Sequence, residues 1–329
     1  MSIIFIGTPA FAVPSLERLA GAGHDVAAVI TQPDRPAGRQ RIPRPPPAKL
    51  AAQKLGLHVL QPPTLRDTGV LEDLRALSPE VIIVVAYGQI LRREVLDIPV
   101  RGVLNVHPSL LPRWRGASPI PACILAGDER TGVTIMLMDT GMDSGPILAQ
   151  EDVPIHDDDT SRSLSDTLAE LGADLLVRTL PSWRAAQILP QPQDDSHATT
   201  CPLLRKEDGA IDWKLPAIDI WRAVRAYNPW PGAYTSLDGE MLHIWKAWPL
   251  TVEPTAAPGA VLELQISWLG ELPFNTRSEA AFAIQTGSGV LVPLQVQRAG
   301  RRVLAAADFL RGMHGLIGHR LRSRHGTEG

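Results

Sequence analysis

The first half of the chain alternates short apolar runs with longer amphipathic ones. Runs rich in β-branched residues, such as residues 3–6 (IIFI) and 81–86 (VIIVVA), predict strands, and the unbroken second run predicts burial on both faces. Glycine-terminated stretches at residues 14–23 and 48–56 predict helices. Further strands are predicted at residues 26–31, 57–60, 102–107, 132–138 and 147–153, and further helices at residues 70–77 and 163–186. This alternation predicts an α/β domain with a Rossmann-like, mostly parallel sheet.

The second half of the chain follows a different pattern. Residues 188–208 are polar and contain prolines, which is typical of a linker. Helices are predicted at residues 217–227 and 305–311, and short strands at residues 233–237, 240–248, 259–264, 281–286 and 290–296. We therefore expect an α/β domain over residues 1–187, a linker over residues 188–208 and a small OB-like β-barrel domain over residues 209–329.

Composition agrees with a globular protein of this size. The 329 residues are 44% hydrophobic and 20% charged, and the net charge of −3 alone gives no reason to expect nucleic-acid or membrane binding. Cys123 and Cys201 lack CxxC or metal-ligand spacing, so we expect free thiols in a reducing compartment and no metal site. The first residues read as a strand rather than a signal peptide, and no apolar run is long enough to span a membrane. We expect a cytoplasmic protein.

Two common nucleotide-binding motifs are missing where an α/β sheet would carry them. The first predicted strand is followed by GTPAF, residues 7–11, which lacks the GxGxxG pattern for a dinucleotide pyrophosphate. The sequence also contains no GxxxxGK[ST] motif. These observations argue against an NAD-dependent oxidoreductase and against a P-loop nucleotide enzyme.

Polar residues follow two predicted strands of the sheet where those strands end. Asn105 and His107 close the strand at residues 102–107, and Asp143 lies in a glycine-rich turn after the strand at residues 132–138. Each has a simpler structural explanation by itself: a turn cap, a half-buried histidine and a turn residue. Their convergence at strand ends instead favours acyl-transfer chemistry, in which Asn stabilises an oxyanion, His moves a proton and a carboxylate orients the imidazole. An amine acceptor would make a Ser or Cys nucleophile unnecessary.

The same residues lie in a recognisable sequence context. The segment NVHPSLLPRWRGASP is preceded by VVAYGQIL and followed by TGVTIMLMDTGMDSGPIL, while TQPDRPAGR and VRAYNPWPGAYT lie near the two ends of the chain. Over nearly its full length the chain resembles the folate-dependent formyltransferases. By position, Asn105, His107 and Asp143 match the three catalytic residues of that family.

The resemblance implies an activity for the α/β domain, which would be the catalytic one. A formyl group would move from 10-formyltetrahydrofolate to the α-amine of methionine on initiator tRNA, with Asn105 and a protonated His107 holding the oxyanion. We expect a monomer. The alternatives are a formyltetrahydrofolate hydrolase and a formyltransferase acting on a nucleotide sugar or on glycinamide ribonucleotide. An alternative of another class is a nucleic-acid-binding module without folate turnover.

The resemblance also implies a folate pocket with two walls. One would be formed by the end of the strand at residues 81–86 and its turn, the other by the loop after His107, and backbone donors would hold the pterin. The expected folate-binding residues are Val85, Ala86, Tyr87, Gly88, Gln89, Ile90, Ser109, Leu110, Leu111, Pro112 and Asp139.

Arginines are concentrated in two regions of this net-acidic chain. Residues 34–49 contain five basic residues and one acid, and residues 298–325 contain seven arginines and one acid. Such clusters suit a phosphate backbone, although a solvated surface is the simpler explanation. The resemblance implies that the first loop inserts at the end of tRNA. The expected tRNA-binding residues are Arg35, Arg39, Arg41, Arg44, Arg301 and Arg302. Residues 266–280 match nothing in the family pattern, and we expect a variable loop there.

Overall fold

The structure, a computed structural model, describes residues 1–37 and 42–322. The chain divides into two compact units. The first consists of Met1–Pro119, Glu129–Ile155 and Ser163–Pro202, and the second of Ile120–Asp128, His156–Arg162 and Leu203–Gly329. The domain limits expected at residues 187 and 209 remain a prediction.

The secondary structure follows the predicted order with several additions. The strands as far as residue 201 are β1 (Ser2–Gly7), β2 (Asp25–Ile30), β3 (Arg35–Ala37), β4 (Ile42–Arg44), β5 (Val59–Leu60), β6 (Val81–Val85), β7 (Val103–His107), β8 (Arg115–Gly116), β9 (Arg130–Leu137), β10 (Ile147–Pro154) and β11 (Thr200–Cys201). The helices of the same region are α1 (Val13–Gly21), α2 (Pro47–Lys54), α3 (Thr68–Ala76), α4 (Arg93–Leu96), α5 (Pro119–Ala126) and α6 (Ser161–Arg184). Among the described residues, no helix has both the length and the apolar character that crossing a membrane requires.

The first unit is built on a seven-stranded sheet with the order β10-β9-β7-β6-β1-β2-β5. The strands from β7 to β5 are parallel, whereas β9 runs antiparallel to β7 and β10 antiparallel to β9. The predicted mostly parallel, Rossmann-like sheet is therefore confirmed. The chain extends the sheet from β1 to β2 and β5, then returns to add β6 and β7 on the other side. Open α/β sheets bind ligands beyond the carboxyl ends of the strands at such a reversal.

Apolar side chains cover the sheet as the sequence pattern requires. Every residue of β6 and β7 is buried. On one face, Ile4 of β1 and Ile82 of β6 pack in the same cluster as Leu71 and Leu74 of α3. Full burial of an aliphatic side chain contributes about 1.5–3 kcal/mol, so this layer fixes the strand ends that carry the polar residues.

Three features of this region were not predicted. Helix α5 has the sequence PIPACILA, whose prolines fall in its first turn, where no backbone hydrogen bond is lost, and whose residues give no amphipathic period. Strands β3 and β4 pair as a short antiparallel hairpin within the arginine-rich segment of residues 34–49. Strand β11, inside the expected linker, pairs in parallel with β8. Strands β3, β4, β8 and β11 have only two or three residues each, which is too short for a periodic signal.

The second unit contains one antiparallel sheet in a half-barrel arrangement. Its elements are α7 (Ala217–Ala226), β12 (Ala233–Leu237), β13 (Glu240–Leu250), β14 (Val261–Glu263), β15 (Phe282–Gln285), β16 (Val290–Arg298), β17 (Leu304–Ala305) and α8 (Ala306–Arg311). The strand order is β12-β13-β16-β15-β14, with β17 pairing to β16. Trp213 and Trp221 are buried in its main core, whereas Trp230 is 55% exposed. All predicted strands of this half are present.

Residues 266–280, where we expected a variable loop, pack against the sheet; their variability among relatives stays a prediction. Two short 3-10 helices, Ile266–Glu271 and Phe274–Thr276, occupy this segment. Trp268 and Leu272 are buried in a cluster with Val290 and Val292 of β16. Leu291, between those two valines, belongs to the other cluster, so the segment covers the second face of the sheet.

Candidate active site

Strand β7 carries two buried polar residues at its carboxyl end. Asn105 lies beside Val84 of β6 and Met136 of β9, in the interior of the sheet. His107 is two residues further along, so both side chains leave the same face, as the sequence predicts. Asn105 is 9% exposed and His107 is 4% exposed. Groups buried to this extent need polar partners, and the neighbouring loops supply them.

Asp143 comes from the turn after β9 and contacts both residues. Its Oδ1 accepts a hydrogen bond from Nδ2 of Asn105 at 3.4 Å, and its Oδ2 lies 3.7 Å from Nδ1 of His107. The backbone N–H of Gly116 also donates to Oδ2, at 2.9 Å. The three residues singled out from the sequence are therefore in one cluster, held by elements separated along the chain.

A backbone carbonyl determines the tautomer of His107. Nε2 of the ring lies 3.0 Å from the carbonyl oxygen of Trp114. Because a carbonyl oxygen can only accept, Nε2 carries the proton in the neutral ring and Nδ1 is left with a lone pair. Nδ1 is the nitrogen that faces Asp143. The neutral imidazole can therefore take up a proton directly beside a carboxylate.

Burial determines the direction of the His107 pKa shift. Removal of the ring from water lowers the pKa of His107, and this exceeds the opposing effects of the Asp143 charge and the Trp114 carbonyl, which raise it. From the sequence we expected the Asp143 carboxylate to raise the pKa of His107 and to favour a protonated ring; the carboxylate does raise it, but burial lowers it by more. The neutral ring is consequently the resting form at pH 7.

Three non-glycine residues around the cluster have left-handed backbone. They are Ala86 (φ 48°) after β6, Trp114 (φ 61°) after β7 and Asp143 (φ 52°) after β9. Such conformations cost about 1–3 kcal/mol each and persist where the surroundings over-determine them, commonly at functional sites. No residue type in the sequence signals them, so sequence reasoning missed this feature.

Thr199, within the expected linker, holds the loop that carries Trp114. Oγ1 of Thr199 accepts from the Trp114 backbone N–H at 2.9 Å, and the Thr199 carbonyl accepts from the Arg115 N–H at 2.9 Å. The β8–β11 pairing continues this contact. The carbonyl that sets the His107 tautomer thus depends on residues about 85 positions further along the chain.

Gly116 is required where β8 passes β11. Its φ is 115°, and an added Cβ would lie 2.5 Å from the Cys201 carbonyl oxygen. We predict that Gly116→Ala lowers the free energy of unfolding by about 2–4 kcal/mol, since strain and overlap with backbone add. It should also lower turnover, because the N–H that binds Asp143 must move. The matched control is Gly21→Ala at the end of α1, where a Cβ would meet no atom of the described part of the chain within 4 Å. Thermal unfolding that is equal for both variants would contradict the prediction.

The first wall of the expected folate pocket is formed mainly by backbone. Val85 and Tyr87 are buried, and the Tyr87 ring packs in the core cluster beneath the sheet, where burial raises its pKa to about 12. The Tyr87 carbonyl accepts from Nε2 of Gln32 at 3.3 Å. Gln89 donates to the Pro63 carbonyl, and Ile90 is 82% exposed. Polar backbone of this turn therefore lies beside an exposed apolar side chain.

The loop after His107, which is the second wall of the expected folate pocket, is hydrogen-bonded to two sheet residues that the sequence analysis missed. Thr134 of β9 donates from Oγ1 to the Ser109 carbonyl at 2.7 Å and accepts from the Leu111 N–H at 3.1 Å. Gln150 of β10 donates to the Leu111 carbonyl at 2.8 Å. Ser109 and Leu111 are buried, and Leu110 and Pro112 are half-buried. The loop is thus tied to the sheet through its backbone, which gives no local sequence signal.

Asp139, the remaining expected folate residue, closes its own turn. Its carboxylate accepts from the Gly141 N–H at 2.9 Å and from Oγ of Ser144 at 3.0 Å. It therefore shapes the segment that presents Asp143. Within residues 1–37 and 42–322, no group of three or more His, Cys, Asp or Glu side chains is arranged to hold a metal ion.

The expected tRNA-binding arginines are distributed over both units. Arg35 and Arg44 are exposed and directly opposite each other in the β3–β4 hairpin, and both line a cavity of about 470 Å³. Arg301 and Arg302 are exposed in the second unit and line a cavity of about 490 Å³. Arg39 and Arg41 lie outside the described residues.

The buried Asn105 and His107 and the half-buried Asp143, beyond the carboxyl ends of parallel strands, are the side chains that an enzyme of the acyl-group-transfer class needs. Comparison with known sequences gives the family. Residues 1–180 match the model of the formyl transferase family, and residues 203–314 match that of the formyl transferase C-terminal domain. The chain belongs to the formyl transferase family.

Individual relatives are similar in sequence to this chain over nearly its full length. The chain is 51% identical to methionyl-tRNA formyltransferase of Chloroflexus aurantiacus, over 95% of this chain and 97% of the relative. It is 47% identical to the methionyl-tRNA formyltransferase of Solibacter usitatus, over 95% and 96%. The protein is a formyltransferase enzyme.

Solved structures share the fold at low sequence identity. An N-formyltransferase from Helicobacter canadensis, in complex with folinic acid and dTDP-3-aminofucose, is 18% identical with a TM-score of 0.63, covering 90% of this chain and 98% of that one. HypX from Aquifex aeolicus in complex with tetrahydrofolic acid gives 0.63 at 18% identity, covering 99% of this chain, which spans 50% of HypX. Methionyl-tRNA formyltransferase from Clostridium thermocellum gives 0.53 at 17%, covering 75% and 93%.

Proposed function

We propose that the protein transfers the formyl group of 10-formyltetrahydrofolate to the α-amino group of methionyl initiator tRNA, for translation initiation. One observation carries this proposal: the cluster of Asn105, His107 and Asp143 occurs in a chain that is 51% identical to a methionyl-tRNA formyltransferase over 95% of its length. We place the activity in the cytoplasm, where charged tRNA is used, and in a monomer.

The residues beyond β6 and β7 fit a folate as the donor substrate. Gly88 has φ 83°, and among the described residues no neighbouring atom lies within 4 Å of the position where a Cβ would be, so a planar ring can approach its backbone. Backbone groups of residues 86–90 other than the Tyr87 carbonyl, which accepts from Gln32, can pair with a pterin edge, while Leu110 and Pro112 supply an apolar surface. The proposed folate-binding set is Val85, Ala86, Tyr87, Gly88, Gln89, Ile90, Ser109, Leu110, Leu111, Pro112 and Asp139.

The cluster supplies what transfer to an amine needs. The methionyl nitrogen attacks the formyl carbon, the carbonyl oxygen becomes an oxyanion, and Nδ2 of Asn105 donates a hydrogen bond to it. His107 starts neutral and takes the proton of the attacking nitrogen at Nδ1. The resulting imidazolium has an oxygen acceptor at each nitrogen, the Trp114 carbonyl and Asp143. As the bond from the formyl carbon to the folate nitrogen breaks, His107 returns the proton to that nitrogen.

The arginine hairpin supports an anionic partner. Arg35 and Arg44 lie directly opposite each other on antiparallel strands, so their like charges repel. A phosphate bound between them would relieve this repulsion and accept hydrogen bonds from both. We propose that they bind the acceptor end of tRNA together with Arg39 and Arg41, and that Arg301 and Arg302 bind another part of its backbone.

We predict that Arg44→Ala weakens the binding of methionyl-tRNA about tenfold and leaves kcat and the KM for the folate unchanged. The loss should shrink as salt rises, because one released phosphate contact lowers the slope of log K against log salt by about 1. Arg93→Ala is the matched control, an exposed arginine on α4 paired with Asp97. Binding titrations at several salt concentrations measure both effects. An unchanged slope would contradict a phosphate contact.

Competing acceptors provide the test of the proposed function. The protein is incubated with 10-formyltetrahydrofolate and, in separate reactions, methionyl initiator tRNA, an amino-sugar nucleotide, glycinamide ribonucleotide or buffer alone. We expect a formylated product with the tRNA only. A formylated sugar nucleotide or ribonucleotide would assign another acceptor. If the folate were not turned over in any reaction, the proposed activity would be wrong and the alternative of a nucleic-acid-binding module would be favoured.

A further inference from the structure

Residues 191–201, which we call the strap, connect the two segments that form the catalytic cluster. Gln191 and Ile147, where β10 begins after the Asp143 turn, exchange two backbone hydrogen bonds of 2.8 and 2.9 Å. At the other end, Thr199 binds the backbone of Trp114 and Arg115, in the loop after β7. The strap thus spans from the turn that bears Asp143 to the loop that contacts His107.

The side chain of Gln193, in the strap, forms a bridge across this gap. Its Nε2 donates to the carbonyl oxygens of Asp143 at 2.8 Å and Gly145 at 2.7 Å. Its Oε1 accepts from Nε of Arg115 at 2.9 Å. One amide therefore uses both its donor and its acceptor end, with Asp143 itself among its partners.

Arg115, the residue that Gln193 binds, lies next to the two backbone groups of the loop that contact His107 and Asp143. Its guanidinium also binds Asp195 of the strap at 2.8 Å, and its side chain is only 11% exposed. In sequence, Arg115 lies between Trp114, whose carbonyl contacts Nε2 of His107, and Gly116, whose N–H binds Asp143. A displacement of Arg115 would move both contacts together.

We infer that Gln193 is a positioning residue that holds Asp143 in the orientation needed for proton transfer by His107. Asp143 has left-handed backbone, which needs outside support, and Gln193 supplies it at the carbonyl of that residue. Its bonds go to the reacting segment and add nothing to the apolar core. This inference rests on the proposed function.

Two substitutions of Gln193 test the inference. Gln193→Glu keeps the shape and the acceptor for Arg115 but places a carboxylate oxygen against two carbonyls. Gln193→Ala removes the bridge without repulsion. We expect kcat for formylation of methionyl-tRNA to fall about 100-fold in the first and about 10-fold in the second, since misplacement by about 1 Å costs roughly that much. The KM values for tRNA and folate should stay within about threefold.

The control for these variants is Gln191→Ala in the same strap, an exposed residue that binds Ile147 through its backbone. It should retain wild-type kcat. A second arm adds Gln193→Ala to Asp143→Asn: because Gln193 acts through Asp143, the added substitution should change kcat less than about twofold. A role in folding alone would instead give independent, multiplying losses.

The outcomes separate this inference from the proposed function. An active wild type with fully active Gln193→Glu and Gln193→Ala overturns the positioning role, and so does a raised KM with unchanged kcat. Additive losses in the double variant overturn it as well. A wild type that fails to formylate methionyl-tRNA overturns the proposed function and the role of Gln193 with it. If Gln193→Glu does not fold, Gln193→Ala and the double variant decide.

Discussion

Replacing His107 by Ala will lower kcat for formyl transfer by about a hundredfold to ten-thousandfold, the usual contribution of a positioned acid–base group. Nδ1 of His107 lies 3.7 Å from Oδ2 of Asp143, and the Trp114 carbonyl holds the ring in the tautomer that leaves this nitrogen free to accept a proton. The KM for methionyl-tRNA should change little, because the ring is buried and binds no phosphate.

His24→Ala is the matched control for this loss. Burial also lowers the pKa of His24, but this residue lies in the turn after α1. It should keep wild-type kcat. Circular dichroism and thermal unfolding separate lost chemistry from lost structure. A His107→Ala enzyme with more than one tenth of wild-type kcat would contradict an acid–base role.

The pH dependence of the wild type gives the same test without substitution. Burial lowers the pKa of His107 below its ordinary value of 6.5. The unfolded chain therefore takes up the proton first as pH falls, so the stability contributed by neutral His107 is present above pH 6.5 and is lost as pH falls through the folded-state pKa. We expect kcat to stay on its plateau at pH 6.5 and to decline only below it. An acid limb centred above 6.5 would contradict a neutral resting ring.

The second large effect is expected for Asp143→Asn, which keeps the size of the side chain and removes its charge. The imidazolium formed during proton transfer then loses its partner, and an amide N–H can face Nδ1 of His107 in place of an acceptor. Loss of the comparable carboxylate in a Ser-His-Asp triad lowers kcat by about 10⁴, and we expect a fall of about 10³–10⁴ here.

Single-turnover measurements test this expectation with both substrates saturating, so that binding does not limit the rate. Asp152→Asn is the control, an exposed carboxylate on β10 paired with Arg130. Its kcat should equal that of the wild type. If Asp143→Asn kept a tenth of the wild-type rate, Asp143 would be a turn residue only.

The parts of the fold that the sequence predicted are those with periodic patterns. Residues 81–85 form a buried parallel strand because all are aliphatic, and Asn105 and His107 share a face because strand side chains alternate. Helix α5 was missed because an apolar segment with two prolines has no amphipathic period. The packing of residues 266–280 was missed because Trp268 and Leu272 become core residues only against a distant sheet.

The candidate site divides in the same way. Residue type and position at strand ends indicated Asn105, His107 and Asp143 as catalytic candidates, and the family resemblance strengthened that prediction. The Trp114 carbonyl, Thr134 and Gln193 were missed, since they act through backbone groups or across 50 residues of sequence. The net direction of the His107 pKa also required the folded surroundings, because burial and a nearby charge act in opposite directions.

The most direct measurement follows a labelled formyl group through a single turnover. The protein is mixed in excess with labelled 10-formyltetrahydrofolate and methionyl initiator tRNA, and label is counted in formylmethionyl-tRNA and in formate. We expect nearly all label to reach the α-amine with the wild type and transfer to be lost when Asp143 is replaced by Asn. Label released as formate by the wild type would contradict the central claim that this cluster transfers formyl directly to an amine.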